Sequence, residues 1–185
     1  MSLAGKFKKS LDEKWCMRFK CRHPDEDNFD GVITHIKSSF IVLREEDAFE
    51  FDGFVILPKK VIKGIRDGRY ERCGNQIIRF NGVLRKLRAP HWLDSCETIP
   101  QVFASMMRRD IWPAVEIVFN EERESALYLG PITNLNDEQF SLKCYDAAGK
   151  WEKTYKLSYD EIFKIEFDSS YCKHFNAYMK SSRIT

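Results

Sequence analysis

The sequence GVITHIKSSFIVL, residues 31–43, decides the fold because it predicts two short strands joined by a tight turn. Ile33 and Ile36 precede the polar turn Lys37-Ser38-Ser39, and the apolar run 40–43 follows it. Two apolar segments separated by a few turn-forming residues are typical of a β-hairpin. We therefore predict a hairpin here, with His35 at the surface or at a strand edge.

A variant of this stretch returns in the second half of the chain. The segment Gly130-Pro-Ile-Thr-Asn-Leu135 matches Gly31-Val-Ile-Thr-His-Ile36. Further apolar residues match at an offset of 100 positions, namely Phe19 with Phe119, Phe40 with Phe140, Leu57 with Leu157, Ile62 with Ile162 and Ile65 with Ile165. A recurring apolar pattern is the signature of repeated structural units. We predict two such units, residues 4–88 and residues 95–180.

Helices are predicted around and between the strands. A short helix is predicted in residues 4–14, where Ser10 and Glu13 have the spacing of a capping box. A second is predicted from Tyr70 to Leu87, and a third from Thr98 to Arg109, with Thr98 as its cap. The apolar stripe of the Tyr70–Leu87 helix consists of Ile77, Phe80, Val83, Leu84 and Leu87.

The hairpin and the strand that closes the first unit carry a family resemblance. Gly-x-Ile-x-x-Ile-x-x-x-Phe-x-x-Leu over residues 31–43 resembles the first Sm signature, and Val61-Ile-Lys-Gly-Ile65 resembles the second. The chain is also similar to a family of uncharacterised bacterial two-repeat proteins, at Gly130, Trp151, Ile162, Ile165 and Tyr171. The resemblance implies a mainly β protein of two tandem Sm-like, SH3-like small barrels joined by two α-helices.

The same resemblance bears on RNA binding. RNA-binding Sm proteins use an Asp after the first hairpin strand and an Asn early in the next, and the matching residues in the first unit are Lys37 and Ile41. In the second unit they are Asn136 or Asp137, together with Ser141. Because an isoleucine offers no hydrogen bonds to a base, the uridine pocket of the family is not expected in the first unit.

Composition predicts a globular protein in the cytoplasm. The 185 residues are 43% hydrophobic and 31% charged, and no apolar run approaches the length of a membrane span. The N-terminal segment lacks the pattern of a signal peptide. The six cysteines are scattered and form no CxxC motif, which favours reduced thiols.

Charge is divided unevenly along the chain. Residues 1–90 carry 19 Lys and Arg against 13 Asp and Glu, whereas residues 91–185 carry 11 against 15. Opposite net charges of +6 and −4 allow the basic half to dock on the acidic half of the same chain or of another copy. Our first hypothesis is therefore a non-catalytic interaction or assembly module, whose partner is an unknown protein or a second copy bound through barrel edge strands.

A basic stretch supports a second hypothesis, the binding of RNA or DNA. The candidate residues surround the last strand of the first unit, and they are Lys59, Lys60, Lys63, Arg66, Arg69 and Arg72. Cations of this kind neutralise phosphates, and the neighbouring Tyr70 offers a ring on which a base stacks. Arg79, Arg85, Lys86 and Arg88 extend the stretch to residue 88. The alternative is a solvated edge whose lysines prevent strand-to-strand aggregation.

Catalytic and metal sites are weakly supported. The motifs GxSxG, GxGxxG and the Walker loop are absent. Cys16, Cys21 and His23 do not make a zinc site, since only Cys21 and His23 share a strand face. The acidic loops, residues 25–27 and Glu121, Glu122 and Glu124, are interpreted as solvated turns. We predict no metal and no cofactor, and keep an enzyme site at the junction of the two barrels as a third hypothesis.

Overall fold

The computed structural model describes residues 2–22, 28–119 and 124–182, and these residues form four α-helices and eleven strands. In chain order the elements are α1 (Leu3–Glu13), β1 (Met17–Cys21), β2 (Asn28–Ile36), β3 (Phe40–Asp47), β4 (Glu50–Pro58), β5 (Ile62–Arg66), α2 (Arg69–Phe80), α3 (Ile99–Arg108), β6 (Ala114–Val118), β7 (Ser125–Leu129), β8 (Ile132–Leu135), β9 (Gln139–Tyr145), β10 (Trp151–Ser158), β11 (Ile162–Phe167) and α4 (Ser170–Ser181). Short 3-10 helices occupy Lys59–Val61, Val83–Lys86, His91–Leu93 and Tyr159–Glu161. The prediction of a mainly β protein is confirmed.

The strands form two antiparallel sheets. The larger sheet has eight strands in the order β5-β1-β2-β3-β4-β11-β6-β7, and the smaller has the order β10-β9-β8. The larger sheet therefore contains strands from both halves of the chain. Neither order returns to its first strand, so the hydrogen-bonded sheets are open, and two closed barrels in tandem stay a prediction.

The hairpin at residues 31–43 forms as predicted. Ile36 is paired with Ile41 across the turn, and the amide of Lys37 donates to the carbonyl of Phe40 at 2.9 Å. The later hairpin joins β8 to β9, where Leu135 is paired with Phe140.

Two of the predicted sequence matches are wrong in register. Phe140 occupies the place of Ile41 rather than that of Phe40, because each stands opposite the last residue of the preceding strand. Ile65 pairs with Phe19, and the matching Ile165 pairs with Val115. The counterpart of Phe19 is therefore Val115. The predicted match of Phe19 with Phe119 fails because Phe119 lies just beyond the end of β6.

Glycine is required where a strand crosses close to a neighbouring backbone. A Cβ atom on Gly31 would lie 2.6 Å from the carbonyl oxygen of Arg44, and one on Gly130 would lie 2.1 Å from that of Lys143. Gly130 also has φ of 149°, a region that L-residues with a side chain rarely adopt. Both hairpins thus depend on a missing side chain at the same structural point.

Two large apolar clusters form the core, and each mixes residues from the two halves. The larger contains Phe40, Val42 and Ile56 from the early strands, Val102, Phe103 and Met106 from α3, and Phe140, Leu142 and Ile165 from the later strands. The second is built mainly from β1 to β5 and includes Phe163 of β11. Folding therefore buries the apolar faces of the early strands against the later ones.

The helix predicted from Thr98 to Arg109 is confirmed as α3, with Thr98 as its N-cap. The side chain of Thr98 accepts a hydrogen bond from the amide of Gln101, and the side chain of Gln101 accepts from the amide of Thr98. This reciprocal pattern is a capping box, which satisfies amides that have no partner inside the helix.

The helix predicted from Tyr70 to Leu87 is wrong in its second half. α2 ends at Phe80, and Gly82 adopts a left-handed conformation with φ of 69° before the 3-10 helix Val83–Lys86. Phe80, which was assigned to the apolar stripe, is 91% exposed. After this break, the chain continues in a different direction from the axis of α2. Val83 is therefore buried although it does not extend the apolar face of α2.

The N-terminal helix forms, but its predicted cap is wrong. Ser2 is the N-cap of α1, whereas Ser10 lies in the last turns of the helix and is fully buried. The hydroxyl of Ser10 donates to the carbonyl of Trp15 at 2.8 Å and accepts from the amide of Ile33 at 3.0 Å. Ser10 therefore fastens α1 to β2.

Candidate interaction site

The two halves of the chain are joined by an edge-to-edge strand pairing. β4 and β11 run antiparallel, with Ile56 opposite Ile165, Val55 opposite Glu166, and Phe54 opposite Phe167. The rings of Phe54 and Phe167 stack, with centroids 5.3 Å apart. The contact between the halves thus combines main-chain hydrogen bonds with buried apolar side chains, as within a single sheet.

The 3-10 helices that precede β5 and β11 meet beside this junction. The ammonium of Lys60 donates to the main-chain carbonyl of Asp160 at 2.5 Å. Each helix begins in the same way, because the amide of Lys59 donates to the carbonyl of Ser39 and the amide of Tyr159 donates to that of Glu138. These bonds tie each 3-10 helix to the hairpin before it.

Within the described ranges, the strands at the ends of the two sheets are β5, β7, β8 and β10. Among the described residues, β5 pairs with β1 alone, and β10 pairs with β9 alone. The exposed side chains of β10 are polar, namely Glu152, Lys153, Thr154 and Lys156. An open edge presents unpaired main-chain amides and carbonyls, which is the surface that a further strand would need.

The β5 edge is partly occupied by α1. The ammonium of Lys6 donates to the carbonyl of Ile65 at 2.6 Å, and that of Lys9 pairs with Asp67 at 2.7 Å. The indole of Trp15 donates to the other oxygen of Asp67 at 3.0 Å. Burial raises the pKa of Asp67, but the hydrogen bonds from Lys9 and Trp15 outweigh it and lower the pKa below its usual value.

Half of the predicted nucleic-acid-binding residues are engaged within the protein. Lys59 is half-buried near the ring of Phe7. Lys60 binds Asp160, as described above, and the guanidinium of Arg66 binds Glu71 at 2.6 Å. The remaining three predicted residues are exposed and make no ion pair within the described ranges, and they are Lys63, Arg69 and Arg72. The structure therefore does not gather all six into one free cationic surface.

His35 is buried, so its predicted surface position is wrong. Its Nε2 lies 3.1 Å from Asp94, and its Nδ1 lies 3.1 Å from the hydroxyl of Thr34. Burial lowers the pKa of His35, although the neighbouring Asp94 opposes this effect. Lys37 also donates to the carbonyl of Asp94. These contacts fasten the segment after the 3-10 helix His91–Leu93 to the first hairpin, which is a structural role.

Some of the residues considered for metal binding or as acidic loops lie within the described ranges. Within the described ranges, no group of three or more His, Cys, Asp or Glu residues is placed to hold a metal ion. Cys16 and Cys21 are buried. His23, residues 25–27, Glu121 and Glu122 lie outside the described residues, and Glu124 is exposed.

A cleft of about 610 Å³ opens beside the β4–β11 junction. Its floor consists of the rings of Phe54, Trp92, Trp112 and Phe167, and one wall is the segment 88–90. One face of α4 also lines the cleft, through Cys172, Lys173, Asn176, Ala177 and Lys180. Sequence analysis missed this cleft, although the spacing of residues 173, 176, 177 and 180 marks a single helical face.

Searches against protein-family models, curated proteins and solved structures give no match for this chain. Within the described ranges, none of the helices has the length and apolar character needed to cross a bilayer.

Proposed function

We propose that this protein is a non-catalytic assembly module, in which the β10 edge of one copy pairs with the β5 edge of the next. The observation that carries the proposal is the pairing of β4 with β11 inside the chain. That joint is a strand-to-strand contact between two edges. β10 and β5 are the corresponding strands, each paired on one side only, and pairing at Ile65 of β5 requires Lys6 of α1 to release its carbonyl. Addition of a strand to an open edge is a general mode of protein association.

Internal equivalences support the view that the chain is a duplicated Sm-like unit. The hairpin bond from Lys37 to Phe40 recurs between Asn136 and Gln139. The close backbone approach at Gly31 recurs at Gly130. The 3-10 helices Lys59–Val61 and Tyr159–Glu161 stand 100 residues apart and carry the same capping bond. Under this proposal β10 is the counterpart of β4, and β5 is the counterpart of β11.

The internal register then specifies the register between copies. In the β4–β11 pairing, Ile165 lies opposite Ile56. Moving the β11 residue back by 100 positions and the β4 residue forward by 100 positions places Ile65 of one copy opposite Lys156 of the other. The same shift places Arg66 opposite Tyr155 and Asp67 opposite Thr154. None of these pairs joins like charges, and a guanidinium beside a tyrosine ring is attractive. The opposite net charges of residues 1–90 and 91–185 favour the same head-to-tail order.

Light scattering coupled to gel filtration tests the proposal over a range of protein concentrations. We expect reversible association of the wild-type chain. Thr154→Asp places a carboxylate opposite Asp67 in the proposed register. We expect it to weaken association up to about fivefold, the effect of roughly 1 kcal/mol, because Lys9 compensates part of the charge of Asp67. The matched control is Thr133→Asp, which adds the same charge at an exposed residue of β8. A chain that stays monomeric at every concentration, or equal behaviour of the two variants, would reject edge pairing.

A second candidate function is the binding of single-stranded nucleic acid near β5. The observation that favours it is the exposure of Lys63, Arg69 and Arg72 beside Tyr70, which is 80% exposed. Fluorescence anisotropy with a labelled oligonucleotide at low salt measures this directly. Removing two phosphate contacts with Arg69→Gln and Arg72→Gln should reduce the slope of log affinity against log salt by about 1.4. No binding at low salt would exclude this candidate.

A further inference from the structure

We propose that the cleft beside the β4–β11 junction binds a small, planar organic anion. This inference is independent of the assembly proposal, because the cleft involves neither the β5 edge nor the β10 edge. Its volume of about 610 Å³ falls within the range of about 300–1,000 Å³ typical of ligand pockets.

The floor of the cleft favours a flat, apolar group. The stacked rings of Phe54 and Phe167 are inclined by only 16° to each other. The ring of Trp92 lies with its centroid 5.6 Å from that of Phe167. Because Phe54 and Phe167 are buried against each other, the half-buried ring of Trp92 supplies the aromatic surface that a planar ligand would contact.

The carboxylates that line the cleft already have cationic or donor partners. One oxygen of Asp110 accepts from the indole of Trp112 at 2.6 Å, and the other pairs with Lys180 at 2.7 Å. Asp168 pairs with Lys173 at 3.1 Å. These contacts leave little attraction for a cationic ligand, since each negative charge is compensated inside the protein.

The polar groups that remain are hydrogen-bond donors. The amide of Asn176 is satisfied, because its oxygen accepts from Tyr145 and its nitrogen donates to the carbonyl of Trp112. By contrast, Arg88 and the indole N–H of Trp92 make no hydrogen bond to any described residue. Both groups donate and neither accepts. A ligand with a negatively charged acceptor would therefore complete the polar side of the cleft, and a guanidinium binds such a group strongly.

A fluorescence titration with 8-anilinonaphthalene-1-sulfonate, an anion that carries a planar naphthalene ring, tests this proposal on the folded full-length chain. We expect saturable binding of one molecule per chain. Arg88→Gln should weaken it about tenfold, which is the effect of losing one charge-assisted hydrogen bond. The matched control is Arg85→Gln, because Arg85 is equally cationic and exposed but does not line the cleft. The neutral analogue N-phenyl-1-naphthylamine should bind both arginine variants equally.

A second variant tests whether the sulfonate binds in the cleft rather than elsewhere on the protein. Ala177→Trp fills the cleft from α4 and should abolish saturable binding while the thermal midpoint stays close to that of the wild type. If this variant does not fold, Ala89→Trp fills the cleft from the segment 88–90. The proposal is overturned if binding of the sulfonate is not saturable, if Arg88→Gln and Arg85→Gln bind it equally, or if a folded cleft-filling variant retains binding.

Discussion

Replacing Gly130 with alanine should destabilise this protein more than replacing Gly31 with alanine. The new Cβ would lie 2.1 Å from the carbonyl oxygen of Lys143 and 3.0 Å from its carbonyl carbon. Both atoms belong to the backbone of β9, so no flexible side chain can move aside. Forced overpacking of this kind costs about 1–3 kcal/mol, and a side chain at φ of 149° adds about 1–3 kcal/mol of backbone strain.

The two contributions together predict a loss of about 2–6 kcal/mol in the free energy of unfolding. Urea denaturation followed by tryptophan fluorescence measures this loss, provided that the slope against denaturant is unchanged. The matched control is Gly64→Ala in β5, because a Cβ there meets nothing within 4 Å. We expect its stability to stay within about 1 kcal/mol of the wild type. Similar stabilities for the Gly130 and Gly64 variants would refute the steric reasoning.

Three further predictions concern buried polar groups and thiols. Burial and the carboxylate of Glu166 raise the pKa of Glu45 to about 7. The folded state then holds a proton that the unfolded state has released, so stability should fall as pH rises from about 5 to 8. Glu45→Gln should weaken this dependence and raise the free energy of unfolding at pH 8 by about 3 kcal/mol, while the raised pKa of Glu46 leaves part of the dependence in place. Ser10→Ala should cost about 1–3 kcal/mol in urea denaturation, because the buried amide of Ile33 loses its acceptor. With Ellman's reagent at pH 8, Cys73 should react quickly and the other five cysteines slowly, since they are buried.

Each of these predictions has a direct control. Glu138→Gln and Ser38→Ala alter exposed residues and should leave stability within about 0.5 kcal/mol of the wild type. A pH profile of unfolding that is identical for Glu45→Gln and the wild type would contradict the assignment to Glu45. Equal stabilities of the Ser10 and Ser38 variants would contradict a stabilising role for the hydrogen bonds by which Ser10 joins α1 to β2. A fast thiol reaction that persists in Cys73→Ser would show that a buried thiol is accessible.

Local features of the fold were predictable because their causes lie within a few residues. The hairpin at residues 31–43 and the capping box of α3 both follow from turn and cap chemistry. The end of α2 was missed because apolar residues continue beyond Gly82, and a helical wheel does not register a left-handed glycine. His35 was misplaced because its partner, Asp94, is distant in sequence.

One sequence signal could have predicted that β4 lies between two other strands at the junction of the halves. Residues 54–57 of β4 are four consecutive apolar residues, and all are buried. A continuous apolar run indicates a strand that is covered on both faces. In β10 the segment Glu152–Lys156 is mainly polar and exposed, which is typical of an edge strand. The identity of the strand beside β4 could not be read in this way, because pairing over such a distance depends on tertiary packing.

The cleft was missed because its parts come from separate regions of the chain. Arg88 and Trp92 follow α2, Trp112 follows α3, and Lys173 and Lys180 lie on α4. Trp112 is buried like a core residue, whereas Trp92 is only half-buried. No local motif links these segments, since the sheet brings them together only after β4 and β11 have paired.

That pairing also bears on how the protein responds to a break in its chain. The largest apolar cluster takes residues from β3 and β4, from α3, and from β9 and β11. A protease cut in the connection between α2 and α3 would sever no strand of either sheet. The two fragments should therefore remain bound and melt in one transition, and separately produced fragments should reconstitute each other. An intact connection then matters for the speed of assembly within the chain more than for the structure that results.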